Sequence, residues 1–185
     1  MKNHNYSLNV LFAVVLVVAT NLAWANEPVS VVDKIVMSAA VSWYDYDSDT
    51  LIDGGLSGSA GFGYVVSPSW GWEAVFSVVD SEQDTSDIDA STVQMHWDFH
   101  YYLPTESNHQ AYLVVGAGVS DTDISGTAKF LETETNFGFG VMHFVSPNLA
   151  FRTDARVYYS FDDKFMDYAL TIGVAYYLDK YWSVP

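Results

Sequence analysis

Ser91–Leu103 reads S-T-V-Q-M-H-W-D-F-H-Y-Y-L. Val93, Met95, Trp97, Phe99, Tyr101 and Leu103 alternate with Thr92, Gln94, His96, Asp98, His100 and Tyr102. Side chains on a β-strand point to opposite faces with period two. The stretch is therefore one strand with an apolar face and a polar face. It is long for a globular strand and of the right length for a tilted strand crossing a bilayer.

The same alternation recurs on both sides of it. Upstream, strands are predicted over Ile35–Trp43, Ser57–Val66 and Trp72–Val79. Downstream they are predicted over Ala111–Ser120, Glu134–Met142, Leu149–Phe161 and Ala169–Leu178. Tight turns are expected at Ser67-Pro68-Ser69, Pro104–Asn108 and Ser146-Pro147-Asn148. Acidic or polar loops are expected at Asp45–Gly55, Asp80–Asp89, Asp121–Lys129 and Asp162–Asp167. No stretch in this part of the chain shows the 3.6-residue periodicity of an amphipathic helix. Eight strands with alternating long and short connections predict an all-β fold: an eight-stranded antiparallel up-and-down transmembrane β-barrel. Closure removes the free edges that lipid cannot tolerate.

Alternation alone does not say which face is outside, because a soluble ligand-binding barrel also alternates. Three features put the apolar face outside. The polar face is rich in small residues, among them Ser38, Ser42, Gly61, Gly63, Gly116, Gly118, Gly138, Gly140 and Gly173, as a narrow interior requires. Lysine is scarce, whereas a water-facing surface carries many charges of both signs. Large aromatics fall near strand ends on the apolar face: Trp43, Trp72, Tyr101, Tyr159, Tyr168 and Tyr176. They are expected to form membrane-interface girdles.

Residues 1–25 have the pattern of a secretory signal peptide. A weakly basic start precedes the apolar run Leu8–Thr20, and Ala23-Trp24-Ala25 supplies a small-x-small cleavage site. An uncleaved anchor is the competing reading, but the run falls short of the roughly 20 residues a spanning helix needs. Residues 26–185 are then the barrel domain. The 185-residue chain contains no Cys, so disulfides play no part in its stability. All 23 acids and six of the seven Lys and Arg follow the leader, leaving 6 − 23 = −17. That balance excludes nucleic acid as a natural partner.

The inward set carries the candidate chemistry. Glu73, Asp98, Glu134, Arg152, Asp154 and Arg156 are expected to form a lumen charge network, with the two arginines answering the four acids. Gln94, His96, His100 and Asn136 add polar lining. The network either gates a narrow pore or fills and rigidifies the lumen. His96-x-Asp98-x-His100 presents imidazole and carboxylate on one face. Residues two apart on a strand, however, lie roughly 6–7 Å apart, which strains a single-ion site. Asp45-Tyr46-Asp47-Ser48-Asp49 spaces carboxylates as some calcium loops do, but Thr50 and Leu56 stand where such a loop needs Gly and Glu. No metal and no cofactor is expected. His143 is the one His assigned to the apolar face. It lies by the tight turn at Ser146-Pro147 with no Ser to pair with, so catalysis is not expected.

Several segments resemble the OmpA/OprF family of outer-membrane barrels. They are Asn136-Phe137-Gly138-Phe139-Gly140-Val141, Asn148-Leu149-Ala150-Phe151-Arg152-Thr153-Asp154-Ala155-Arg156, Tyr159-Ser160-Phe161-Asp162-Asp163 and Leu113-Val114-Val115-Gly116-Ala117-Gly118. The resemblance implies a barrel in the outer membrane of a Gram-negative bacterium. The chain stops at Pro185, so the periplasmic peptidoglycan-binding domain of many members is not expected. The segment Tyr181–Pro185 departs from the usual aromatic end, which shifts the expected assembly signal to Ala175–Leu178. Outer-membrane lipid, lipopolysaccharide, periplasmic chaperones and the barrel-assembly machinery are the implied partners, and a monomer is expected. A structural or surface-interaction role is the reading favoured. A narrow porin-like diffusion channel and a lipid A-modifying enzyme are the alternatives.

Overall fold

The computed structural model describes residues 29–47, 52, 54–82, 89–105, 107–124, 128–162 and 164–179. The leader assigned to residues 1–25 lies outside them. Eight strands follow in order: β1 (Lys34–Asp45), β2 (Gly55–Ser67), β3 (Trp70–Glu82), β4 (Asp89–Tyr102), β5 (His109–Ile124), β6 (Ala128–Ser146), β7 (Leu149–Ser160) and β8 (Met166–Asp179). Each pairs antiparallel with its neighbours, and β1 pairs with β8 from Lys34↔Asp179 to Asp45↔Tyr168, closing the barrel.

The inside-out sidedness is plain along β4. Asp98 is 0% exposed, while Trp97 and Phe99 on either side of it are 46% and 49% exposed. Met37, Val41, Phe62, Phe76, Val115, Phe137, Phe151 and Ile172 are likewise exposed on the outer surface. A soluble protein rarely displays so large a continuous apolar surface. Around a closed barrel it is the surface that lipid covers.

The strands run further than the alternation signals. The polar segment Asp121–Lys129, expected as a loop, is mostly strand. Its β5 and β6 arms pair through Asp121↔Leu131, Thr122↔Phe130, Asp123↔Lys129 and Ile124↔Ala128. Likewise β3 continues to Glu82 and β4 begins at Asp89. Apolar alternation stops where the side chains leave hydrocarbon. The backbone ladder does not depend on side-chain polarity and continues into water.

Inside, the lumen is built in three storeys. Nearest the tight turns lies an apolar cluster of Val36, Val65, Tyr102, Tyr112, Val114, Met142, Phe144 and Tyr177, with Val31 tucked against it from outside the sheet. Nearest the longer connections lies a second cluster of Tyr44, Val79, Tyr158 and Ala169, against which Tyr46 packs. The charged residues occupy the middle.

The lumen as candidate functional site

Strand β7 is the spine of the middle storey. Arg152, Asp154 and Arg156 are two residues apart, so the pleat places all three on the inner face. Arg152 reaches across the barrel and donates from Nη1 to Glu73 Oε2 on β3 at 2.8 Å. Its Nε lies 3.4 Å from Asp154 Oδ2. Arg156 donates from Nε to Asp154 Oδ1 at 2.8 Å and from Nη1 to Asp98 Oδ2 on β4. The result is one chain of alternating charge, Glu73–Arg152–Asp154–Arg156–Asp98.

Neutral donors satisfy the remaining carboxylate oxygens. Asn136 Nδ2 donates to Asp98 Oδ1 at 2.9 Å, Tyr112 Oη to Asp154 Oδ2 at 2.8 Å, and the Ser38 hydroxyl to Glu73 Oε1. A buried charge is tolerable only with this degree of pairing. Glycine makes room for it. Gly116 sits directly between Asp98 and Asn136 in the register. A Cβ there would collide with the Asp98 carboxylate and the Asn136 amide.

Each residue assigned to the lumen from sequence is buried in it: Glu73, Gln94, His96, Asp98, His100, Glu134, Asn136, Arg152, Asp154 and Arg156. Their pairing differs in one respect from the expectation that the arginines answer all four acids. Glu134 faces His96, with Nε2 2.8 Å from Oε1. The three residues of His96-x-Asp98-x-His100 share a face but turn to three partners. His96 meets Glu134, Asp98 meets Arg156, and His100 Nε2 lies 3.9 Å from Glu73 Oε2. Among the described residues no group of three or more His, Cys, Asp or Glu is placed to hold a metal. Gln94 donates to Tyr44 Oη at 2.9 Å and accepts from Ser77 at 3.0 Å, tying the middle storey to the upper aromatic one.

This packing contains two small voids among the described residues. One, of about 20 Å³, is lined by Ser42, Ser57, Ser59, Gln94, Arg152 and Arg156, among others. The second, of about 10 Å³, lies by Glu73, His100, Tyr102 and Tyr177. Each is about the size that accommodates one water. The aromatic storeys above and below the charges are what the sequence reading missed. Tyr44, Tyr102, Tyr112, Tyr158 and Tyr177 all fall on the inward parity of their strands, and that parity was the available signal.

On the outer face, Trp43, Tyr159 and Tyr168 ring the end with the longer connections, and Trp72, Tyr101 and Tyr176 the end with the tight turns. Trp70 packs against Tyr101 with ring centres 4.9 Å apart and planes inclined by 59°, and Trp72 lies nearly parallel to Trp97 at 4.7 Å. The acidic run at Asp45–Asp49 lies partly outside the described residues. Within them Asp47 caps β8, accepting from Met166 N at 3.1 Å, while its own N–H donates to Asp167 at 2.9 Å.

An apolar exterior, two aromatic girdles and a charge-filled interior define an integral outer-membrane β-barrel. The outer membrane protein beta-barrel domain model matches residues 10–182, and the chain belongs to that family. The fold is shared with Neisserial surface protein A, at 15% identity and a TM-score of 0.65, over 77% of this chain and 96% of that one. It is also shared with OprG of Pseudomonas aeruginosa, at 12% identity and 0.58, over 83% and 98%. The N-terminal barrel of OprF from the same organism gives 13% identity and 0.54, over 78% and 98%. Comparison with curated proteins gives no match. Membership places the chain in the outer membrane of a Gram-negative bacterium.

Proposed function

We propose that this barrel has a structural or surface-interaction role and acts through its outer surface and extracellular rim. The observation that carries the reading is the filled lumen. Between the two aromatic storeys the four acids and two arginines are tied to one another and to neighbouring polar side chains, and the voids of about 20 and 10 Å³ hold little more than a water each. A diffusion channel needs a continuous wet path, and this packing interrupts it at three levels. Liposome swelling with the purified protein tests the reading. Sugar or amino-acid flux no greater than that of protein-free liposomes is expected. Solute uptake that rises with protein content would favour the narrow porin-like channel instead.

The lipid A-modifying reading is supported less well. His143 sits at the tight-turn end, far from the outer leaflet, and its Nδ1 faces His109 rather than a serine. On the opposite rim, Asp45, Asp47, Asp80, Asp121 and Asp123 lie near the strand ends. This charge suits divalent cations bridging the barrel to lipopolysaccharide phosphates, and it repels polyanions. Residues 1–25 would direct export, with periplasmic chaperones and the barrel-assembly machinery as transient partners of a monomeric product.

A further inference from the structure

His109 opens β5 and His143 lies near the end of β6, 34 residues apart in the chain. The register sets them directly opposite one another at the periplasmic rim. His143 Nδ1 and His109 Nε2 are 3.0 Å apart. His109 is 5% exposed, and His143 is partly open to the outside. The backbone around them is clamped. Phe144 N donates to Asn108 O at 2.9 Å, Asn108 Nδ2 donates to Phe144 O at 3.1 Å, and His109 N donates to Ser107 Oγ at 3.2 Å. The lumen network uses neither imidazole.

We infer that His109 and His143 form a two-imidazole site for a borderline divalent transition metal, copper(II) or nickel(II), at the periplasmic rim. The argument is geometric. A linear N–H···N hydrogen bond of this length would hold the ring centres about 5.3 Å apart. Two imidazoles bound cis to one ion, with metal–nitrogen bonds of about 2.0–2.1 Å, would hold them about 4.6 Å apart. The centres are 4.5 Å apart, with the planes tilted by 42°. With the same bond lengths, the 3.0 Å nitrogen separation subtends roughly 90–95° at the ion. That is the angle of tetragonal or octahedral coordination and falls short of the tetrahedral angle preferred by zinc. Imidazole nitrogen suits copper and nickel, and copper(II) heads the stability order of the divalent ions. With two protein nitrogens, the other positions fall to water.

Without metal, one proton lies between the rings. His109 Nδ1 is buried with no acceptor among the described residues. The proton therefore belongs on His109 Nε2, which donates to His143 Nδ1, because the other tautomer would bury an unpaired N–H. Metal binding takes the place of that proton, which moves to His109 Nδ1, so both rings bind as neutral imidazoles and the metal–nitrogen bonds offset the unpaired N–H. The clamped backbone means little ordering is required.

Copper(II) chloride titrated into the untagged, detergent-solubilised protein tests the inference, with electron paramagnetic resonance as the readout. The expected signal is a tetragonal copper spectrum split by two equivalent nitrogens. His109→Gln and His143→Gln are each expected to weaken binding on the order of 10²-fold, because either variant breaks the chelate. Both leave the lumen contacts intact, and cold gel migration verifies folding. Copper(II) should also displace zinc(II). A wild-type spectrum with no nitrogen coupling would overturn the site, as would one unchanged in either folded variant. Oxygen-only coupling would assign the copper to the acidic rim.

Discussion

Arg156→Ala is the substitution that most directly probes the closed lumen. Arg156 is 6% exposed and joins two carboxylates, those of Asp98 at 0% and Asp154 at 2%. Removing it leaves Asp98 with Asn136 alone, and Asp154 with Tyr112 and the longer 3.4 Å contact to Arg152. Breaking a buried ion pair from one side costs about 3–5 kcal/mol, since the orphaned charge stays desolvated. Two acids are affected, but both keep a hydrogen bond, so the expected loss is about 4 kcal/mol. With a urea dependence of about 2 kcal/mol/M, the unfolding midpoint in lipid vesicles should fall by about 2 M, followed by tryptophan emission. Asp98→Ala combined with Arg156→Ala should lose less than the sum of the single changes, because the orphan charge goes with its partner. A midpoint shift below about 0.5 M for Arg156→Ala would refute the reasoning. It would mean that water already reaches these groups, and the plugged-lumen reading would fall with it.

Brominated lipid should quench the tryptophan emission strongly, since Trp43, Trp70 and Trp97 are about half exposed or more on the outer face. Protection of all of them would place water, not lipid, against that surface. Gly116→Val should prevent folding or lower stability by more than about 3 kcal/mol, because a side chain there displaces Asp98 and Asn136 together; a cold gel comparing folded and unfolded migration reads this out. Tyr44→Phe should cost about 1–2 kcal/mol in the same urea assay, because the buried Gln94 amide loses its acceptor.

The fold was legible because its determinant is local. Period-two alternation at Ser91–Leu103 and its seven counterparts states which side chains share a face, and the small residues on the polar face state that this face is enclosed. The strand order then follows from tight turns, which force neighbours to pair. The lumen residues were legible by the same parity, from Glu73 to Arg156. Their partners were not. Whether Glu134 meets an arginine or His96 depends on the stagger between strands that are distant in sequence, and alternation carries no information about stagger. The true ends of β5 and β6 were hidden because the apolar signal stops at the membrane edge while backbone pairing continues.

What the amino-acid order determined alone is therefore the class: eight membrane-crossing strands, apolar outside, charged and small-residue inside. Tertiary structure alone decided that the charges form a single chain from Glu73 to Asp98, that tyrosine-bearing storeys flank it on both sides, and that His109 and His143 stand nitrogen to nitrogen at the rim. The first set of properties belongs to each strand separately. The second arises when register and closure bring side chains from different strands to the same height, a long-range condition that no single segment encodes.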